Sequence, residues 1–126
     1  MNPYPLAEDI LADAVRFLRE EALPRLEGAV AFNLRVTVNA LEIVERQLRC
    51  GSDAQARDDA WLEATVGPEG SREARIARLC EMLDRTPDAL SDPRIASGLR
   101  RTVLDQLAID QPSYSAYQAA VEAGEV

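Results

Sequence analysis

Large apolar residues recur at helical spacing along most of this chain. Between residues 6 and 23, Leu6, Ile10, Leu11, Ala14, Val15 and Leu18 share one face, while Asp9, Asp13, Arg16, Arg19 and Glu20 share the other. Glu8 and Asp9 lie in the first turn, where the helix dipole favours acids, and Pro24 is placed to end the run. Residues 28 to 49 are more ambiguous. Val30, Phe32, Leu34, Val36 and Val38 alternate as in a half-buried strand. The apolar pattern continues through Leu41, Ile43, Val44 and Leu48 at helical spacing, with no turn residues between the halves, so one long helix is predicted. Its cross-section is apolar over about two thirds of the circumference at about 100° per residue. The one polar strip is Arg35, Asn39, Glu42, Arg46 and Arg49. Neighbouring helices are expected to wrap such a rod, leaving the strip to solvent or a groove.

Gly51-Ser52-Asp53 is expected to end this helix and start a weaker one over 53–65, which carries Trp61 and Leu62. After the Gly67-Pro68-Glu69-Gly70 loop, Ser71 is placed to cap a helix over 72–84 with Ile76, Leu79, Cys80 and Leu83 inward. Residues 85–93 read as a loop. Asp92-Pro93 matches an N-cap followed by proline at the first helical position, opening a helix over 94–109 with Ile95, Leu99, Val103 and Leu107 inward. Pro112 and Ser113 open a short last helix bearing Tyr114 and Tyr117, and the Ala-Gly-Glu-Val tail is expected to fray. The fold class predicted is all-α: a compact bundle of five to six helices around a long central helix at about 28–49, with residues 1–126 as a single domain.

Composition narrows the chemistry. At 126 residues and 47% hydrophobic, the chain is large and apolar enough to bury a core. It contains no His, the commonest general base and metal ligand, and no Lys, so all 14 of its cations are Arg. A Schiff-base amine and a Walker-type lysine are thereby excluded. An Arg-only cation set fits the codon bias of a GC-rich bacterial genome. Its acidic net charge of −8 disfavours nucleic acid and anionic membranes as partners. Cys50 and Cys80 form no CxxC pair and have no His beside them, so no zinc site is expected, and each sits near an apolar helix face. No basic leader precedes Glu8 and Asp9, and no apolar run approaches a membrane span. The expected location is cytoplasmic.

No reactive constellation emerges. Serines lack a His or Lys to activate them. The acid pairs Glu20/Glu21 and Asp58/Asp59 point about 100° apart on a helix, and a solvated face is expected for them. Asn33 and Thr37 fall on the apolar side of the long helix, where burial would require hydrogen-bond partners. Trp61, Tyr114 and Tyr117 are expected in core and rim packing. The candidate binding residues are Arg35, Asn39, Glu42 and Arg46. The arginines could grip a carboxylate or phosphate, with Asn39 and Glu42 orienting them; alternatively Glu42 and Arg46 form an ordinary i, i+4 surface pair.

Two stretches carry a resemblance. Residues 11–48, with Phe32, Arg35-Val36, Asn39, Leu41 and Arg46-Gln47-Leu48, and residues 99–114, ending Leu-x-Ile-Asp-Gln-Pro-x-Tyr at Tyr114, resemble an uncharacterised bacterial all-helical domain family. Its members are often encoded beside acyl-CoA dehydrogenase and aminoglycoside/choline-kinase-like phosphotransferase genes. Family members often carry Glu where this chain has Gln47, so no role for that acid transfers. The resemblance implies an accessory of acyl-CoA metabolism and assigns no catalytic residue. The expectation is a non-catalytic protein-interaction domain without metal or cofactor. Its expected partner is an acyl-CoA dehydrogenase-like or phosphotransferase-like enzyme, and a homodimer is possible because the long helix is so apolar. The alternative is a domain binding acyl-CoA or a phosphorylated anion at Arg35 and Arg46. An enzyme built from carboxylates and arginines alone is the third reading.

Overall fold

The computed structural model describes residues 3–126, and every regular element among them is helical. Five α-helices follow in order: α1 (Ala7–Phe17), α2 (Gly28–Val66), α3 (Arg72–Arg85), α4 (Pro93–Asp110) and α5 (Ser115–Glu122). The all-α class is as predicted, and the apolar alternation over 30–38 lies within a helix. The chain divides into two compact units, Met1–Ser52 and Asp53–Val126, and α2 contributes its first part to one and its second part to the other.

Two boundaries depart from the sequence reading. The first helix does not run uniformly to Pro24. After Phe17 it widens into a π-helical turn over Leu18–Ala22, then tightens into a 3₁₀ turn over Leu23–Arg25. Pro24 has no N–H to donate to the Glu20 carbonyl, and the Leu23 N–H before it reaches past Arg19, its α-helical acceptor, to the Leu18 carbonyl. The long helix does not stop at Gly51 but continues to Val66 as 39 residues. A helical glycine costs about 1 kcal/mol, less than leaving two more sets of orphan backbone groups at a break. Gly51 is buried with helical backbone, and the atoms nearest to an added Cβ belong to the flexible side chain of Gln47, its Nε2 at 1.9 Å. Gly51→Ala is therefore expected to stabilise the chain by about 0.5–1 kcal/mol as Gln47 swings away. Denaturant unfolding checks this, and a loss of stability would show that Gln47 is held in place.

The later helices begin where their caps stand. Ser71 Oγ accepts from the Ala74 N–H at 3.2 Å, and Asp92 Oδ1 accepts from the Arg94 N–H at 2.9 Å. Tyr114 is the N-cap of α5 rather than part of it. The tail does not simply fray: the Glu125 N–H bonds the Ala120 carbonyl at 3.0 Å, Gly124 takes the left-handed conformation (φ 77°), and Glu125 pairs with Arg100.

In the Met1–Ser52 unit the buried apolar residues are Val15, Ala31 and Val38. In the Asp53–Val126 unit they are Leu62, Leu79, Ala89, Leu104, Ile109 and Ala120, with Gly98 also buried. The expected inward faces are rotated in places: Val103 is exposed, as are Cys80 and, marginally, Ile76. Cys50 is exposed too, so neither thiol serves as a small core hydrophobe.

Candidate interaction surface

The first unit is an antiparallel pair of helices, and its ion pairs fix the register. Arg49 on α2 donates to Asp9 on α1 at 3.3 Å. Arg19, in the π-helical turn, donates to Glu42 (2.8 Å to Oε1) and to Asn39 Oδ1 (3.2 Å). Rising numbers on one helix meet falling numbers on the other. Gly28, at φ 65°, supplies the left-handed residue at the start of α2 that the short turn needs.

These contacts place the sequence-predicted strip. Asn39 and Glu42 are brought together, but by Arg19, a residue expected on the outward face of the first helix. Arg49 is tied to Glu45 at 3.0 Å as well as to Asp9, and the hydrogen bond to Glu45, followed by that to Asp9, raises its pKa above the ordinary value. Arg46 is half-buried and already partnered. Arg35 is exposed. The strip is thus one polar edge of the seam between α1 and the first part of α2.

The expectation that neighbours wrap the long helix is overturned. Val30 is 61% exposed, Phe32 63% and Val36 53%, and Val44 and Leu48 are nearly half exposed. On α1, Ile10 (57%) and Phe17 (56%) are also open, although the apolar pattern puts Ile10 on the inward face. Only one helix packs on this part of α2 within its unit, and one neighbour covers only one side of a cylinder. Asn33 and Thr37 are likewise exposed, with Thr37 Oγ1 donating back to the Asn33 carbonyl at 2.9 Å. Isolated exposed apolar side chains are ordinary; here they form two groups on α2, Val30, Val44 and Leu48 on one side and Phe32 and Val36 on the other, at about 100° per residue.

The second unit holds its polar groups more tightly. Asp58 and Asp59, expected on a solvated face, both accept from Arg72, whose side chain spans the angle between them. Asp58 also accepts from Thr102 Oγ1 at 2.7 Å. Arg57 forks onto Asp105 at 3.1 and 3.4 Å. Arg78 donates to the carbonyls of Val66, Gly67 and Glu69, closing the end of α2 and its loop. Asp92 and Glu125 are held below the usual carboxylate range by hydrogen bonds from Arg94 and Arg100 respectively. Trp61 packs against Gly98 and donates its indole N–H to the Arg94 carbonyl at 3.1 Å. A groove of about 350 Å³ lies beside this pair, bordered by Arg100, Arg101 and Glu125. The spacing rules missed the Asp58–Arg72–Thr102 and Trp61–Gly98 contacts because both join residues distant in sequence. A glycine inside a helix, in a chain with one Trp, was the available signal for the latter.

Among the described residues no group of His, Cys, Asp or Glu could hold a metal ion, and no helix is long and apolar enough to cross a membrane. Residues 24–114 match the model of a domain-of-unknown-function family, DUF6285, and the chain belongs to that family. No curated protein and no solved structure matches it.

Proposed function

We propose that this DUF6285 member is a non-catalytic interaction domain that docks a protein partner on the uncovered apolar surface of its first unit. The observation that carries the reading is the exposure of Ile10, Phe17, Val30, Phe32, Val36, Val44 and Leu48 within one helical pair. Leaving so much apolar surface in water forfeits about 25 cal/mol for each Å² that a partner could cover. The absence of His and Lys supports a binding role over a catalytic one. So does the capture of Asp58 and Asp59 by Arg72, which leaves them poorly placed as a general acid and base. The alternative, an acyl-CoA or phosphorylated anion held at Arg35 and Arg46, is weakened because Asn39 and Glu42 already serve Arg19.

The family resemblance supplies the class of partner: an acyl-CoA dehydrogenase-like or phosphotransferase-like enzyme. The test is affinity capture from native lysate with the wild-type chain and Phe32→Glu. The expected result is an enzyme of one of these classes recovered by the wild type and lost with the variant. Recovery of the chain without such an enzyme, or equal recovery by both, removes this association. A thermal-shift series with acyl-CoAs addresses the alternative: a ligand at 100 times its Kd stabilises by about 2.7 kcal/mol.

A further inference from the structure

The helical pair of the first unit has two unlike flanks. Projected at about 100° per residue, Val38, Ala31 and Leu34 lie toward the centre of the face that α2 turns to α1. Arg35, Asn39, Glu42 and Arg46 fall to one side of that centre, and Val30, Leu41, Val44 and Leu48 to the other. On α1, with Val15 central, Arg19 and Asp9 fall to the first side and Leu11, Ala14, Ile10 and Phe17 to the second. The ion pairs from Arg19 and Arg49 show that the two polar flanks adjoin, so the two apolar flanks also adjoin. The result is a two-helix slab with a polar edge and, opposite it, a broad face that is apolar but for Thr37 and Asn33. That face runs about 27 Å along α2 from Val30 to Leu48 at 1.5 Å per residue. No charged residue of α2 lies on it: the charges between 28 and 48 are Arg35, Glu42 and Arg46 on the polar flank and Glu45 at the seam.

We infer that this face is covered by a second copy of the same chain, two helical pairs closing into a four-helix bundle. The inference rests on reading the exposed apolar surface as a protein-contact surface, and it names the occupant of the flank opposite the polar edge. Three observations favour a second copy. Among its described residues the unit buries only Val15, Ala31, Val38 and Gly51, so two helices leave its core open on one side. Four is the usual number of helices that closes such a core. Ile10, Phe17, Val30, Val44 and Leu48 are exposed and Leu11, Leu18, Leu34 and Leu41 half-buried, a set of large apolar side chains of the kind that a stable interface of about 800 Å² per partner covers. Finally, the surface must be self-complementary for a two-fold pairing, and an uncharged α2 flank meets its own copy without placing like charges together. This matters for a chain of net charge −8, whose copies repel except where an uncharged surface leads the contact.

Sedimentation equilibrium on the full chain tests the inference, using wild type, Val44→Glu on the apolar flank and Phe32→Glu on the opposite side of α2. The wild type and Phe32→Glu are expected at twice the 13.9 kDa chain mass, and Val44→Glu at the single mass with helical circular dichroism retained. Should Val44→Glu lose its helicity, Val44→Ala keeps the helix and is expected to raise the dimer dissociation constant at least about tenfold. A wild-type chain at the single mass up to several hundred micromolar overturns the inference. So does a dimer that Phe32→Glu breaks and Val44→Glu leaves intact. A wild-type monomer that still captures an enzyme partner sinks the pairing and spares the interaction reading. A dimer that captures no enzyme does the reverse.

Discussion

Gly98→Ala is expected to destabilise the chain by about 2–3 kcal/mol, although alanine is the better helix former. At a helical site where the neighbour can give way the exchange would gain about 0.5–1 kcal/mol, as argued for Gly51. At position 98 a Cβ would sit 2.0 Å from both Cε2 and Nε1 of Trp61 and 2.5 Å from its Cζ2. An indole is rigid and bulky, so it must move as a body. Doing so breaks its hydrogen bond to the Arg94 carbonyl, worth about 1 kcal/mol, and opens packing beside Leu104, for an overpacking cost of about 1–3 kcal/mol. Gly98→Val adds two methyls and a β-branch in a helix, and its cost is expected to exceed about 3 kcal/mol. Thermal unfolding of Gly98→Ala is expected to show a Tm about 10 °C lower, on the scale of several degrees per kcal/mol for a domain of this size. Trp61 is the only Trp, so its fluorescence reports the displacement directly, with emission shifting to the red. An unchanged emission maximum with wild-type stability would mean that the helix relaxes away from the indole at no cost. The paired comparison is the informative one: two helical glycines, one facing a flexible amide and one a rigid ring, respond with opposite sign.

That contrast also marks what the sequence could and could not reveal. Apolar periodicity located all five helices and resolved the alternating stretch at 30–38 correctly, because the pattern beyond Val38 holds to a helical repeat. The caps at Ser71 and Asp92 were legible because capping is a local exchange between a side chain and the next few N–H groups. The continuation of α2 through Gly51 was not legible, because turn-forming residues show a local preference and not the larger cost of ending a helix. The strip on α2 does form one edge of the helix, yet its neighbours are not those that an ideal helical wheel implies. Arg19 reaches Asn39 and Glu42 from a π-helical turn, and the widened spacing there shifts side-chain directions relative to an unbroken α-helix. Burial was the least legible property. The apolarity of residues 28–48 pointed to a wrapped helix, but a sequence does not say whether the wrapping comes from the same chain.

Arg72→Met is expected to cost about 2–3 kcal/mol, and most of that loss is expected to return when Asp58→Asn is added. Arg72 donates separate guanidinium nitrogens to Asp58 and Asp59, adjacent acids that would otherwise repel. The hydrogen bond to Asp58, followed by that to Asp59, raises the Arg72 pKa further, so the cation persists at any pH where the fold is studied. Asp58 is the more enclosed acid, 13% exposed against 34% for Asp59, and it is also tied to Thr102 on α4. Methionine keeps much of the arginine stem's apolar volume while removing the charge, so the loss reports chiefly on the stranded carboxylates. Breaking a fully buried pair costs about 3–5 kcal/mol, and the partial exposure of Arg72 and Asp59 brings the expectation below that range. The Asp58→Asn exchange removes one stranded charge yet keeps a carbonyl oxygen for the Thr102 hydroxyl, which is why the double variant should recover. A denaturant-derived coupling energy of at least about 1 kcal/mol between positions 58 and 72 is the expected result. Additive losses would show instead that Asp58 is solvated well enough without its arginine, and that the joint between α2 and α3 is held by apolar packing alone.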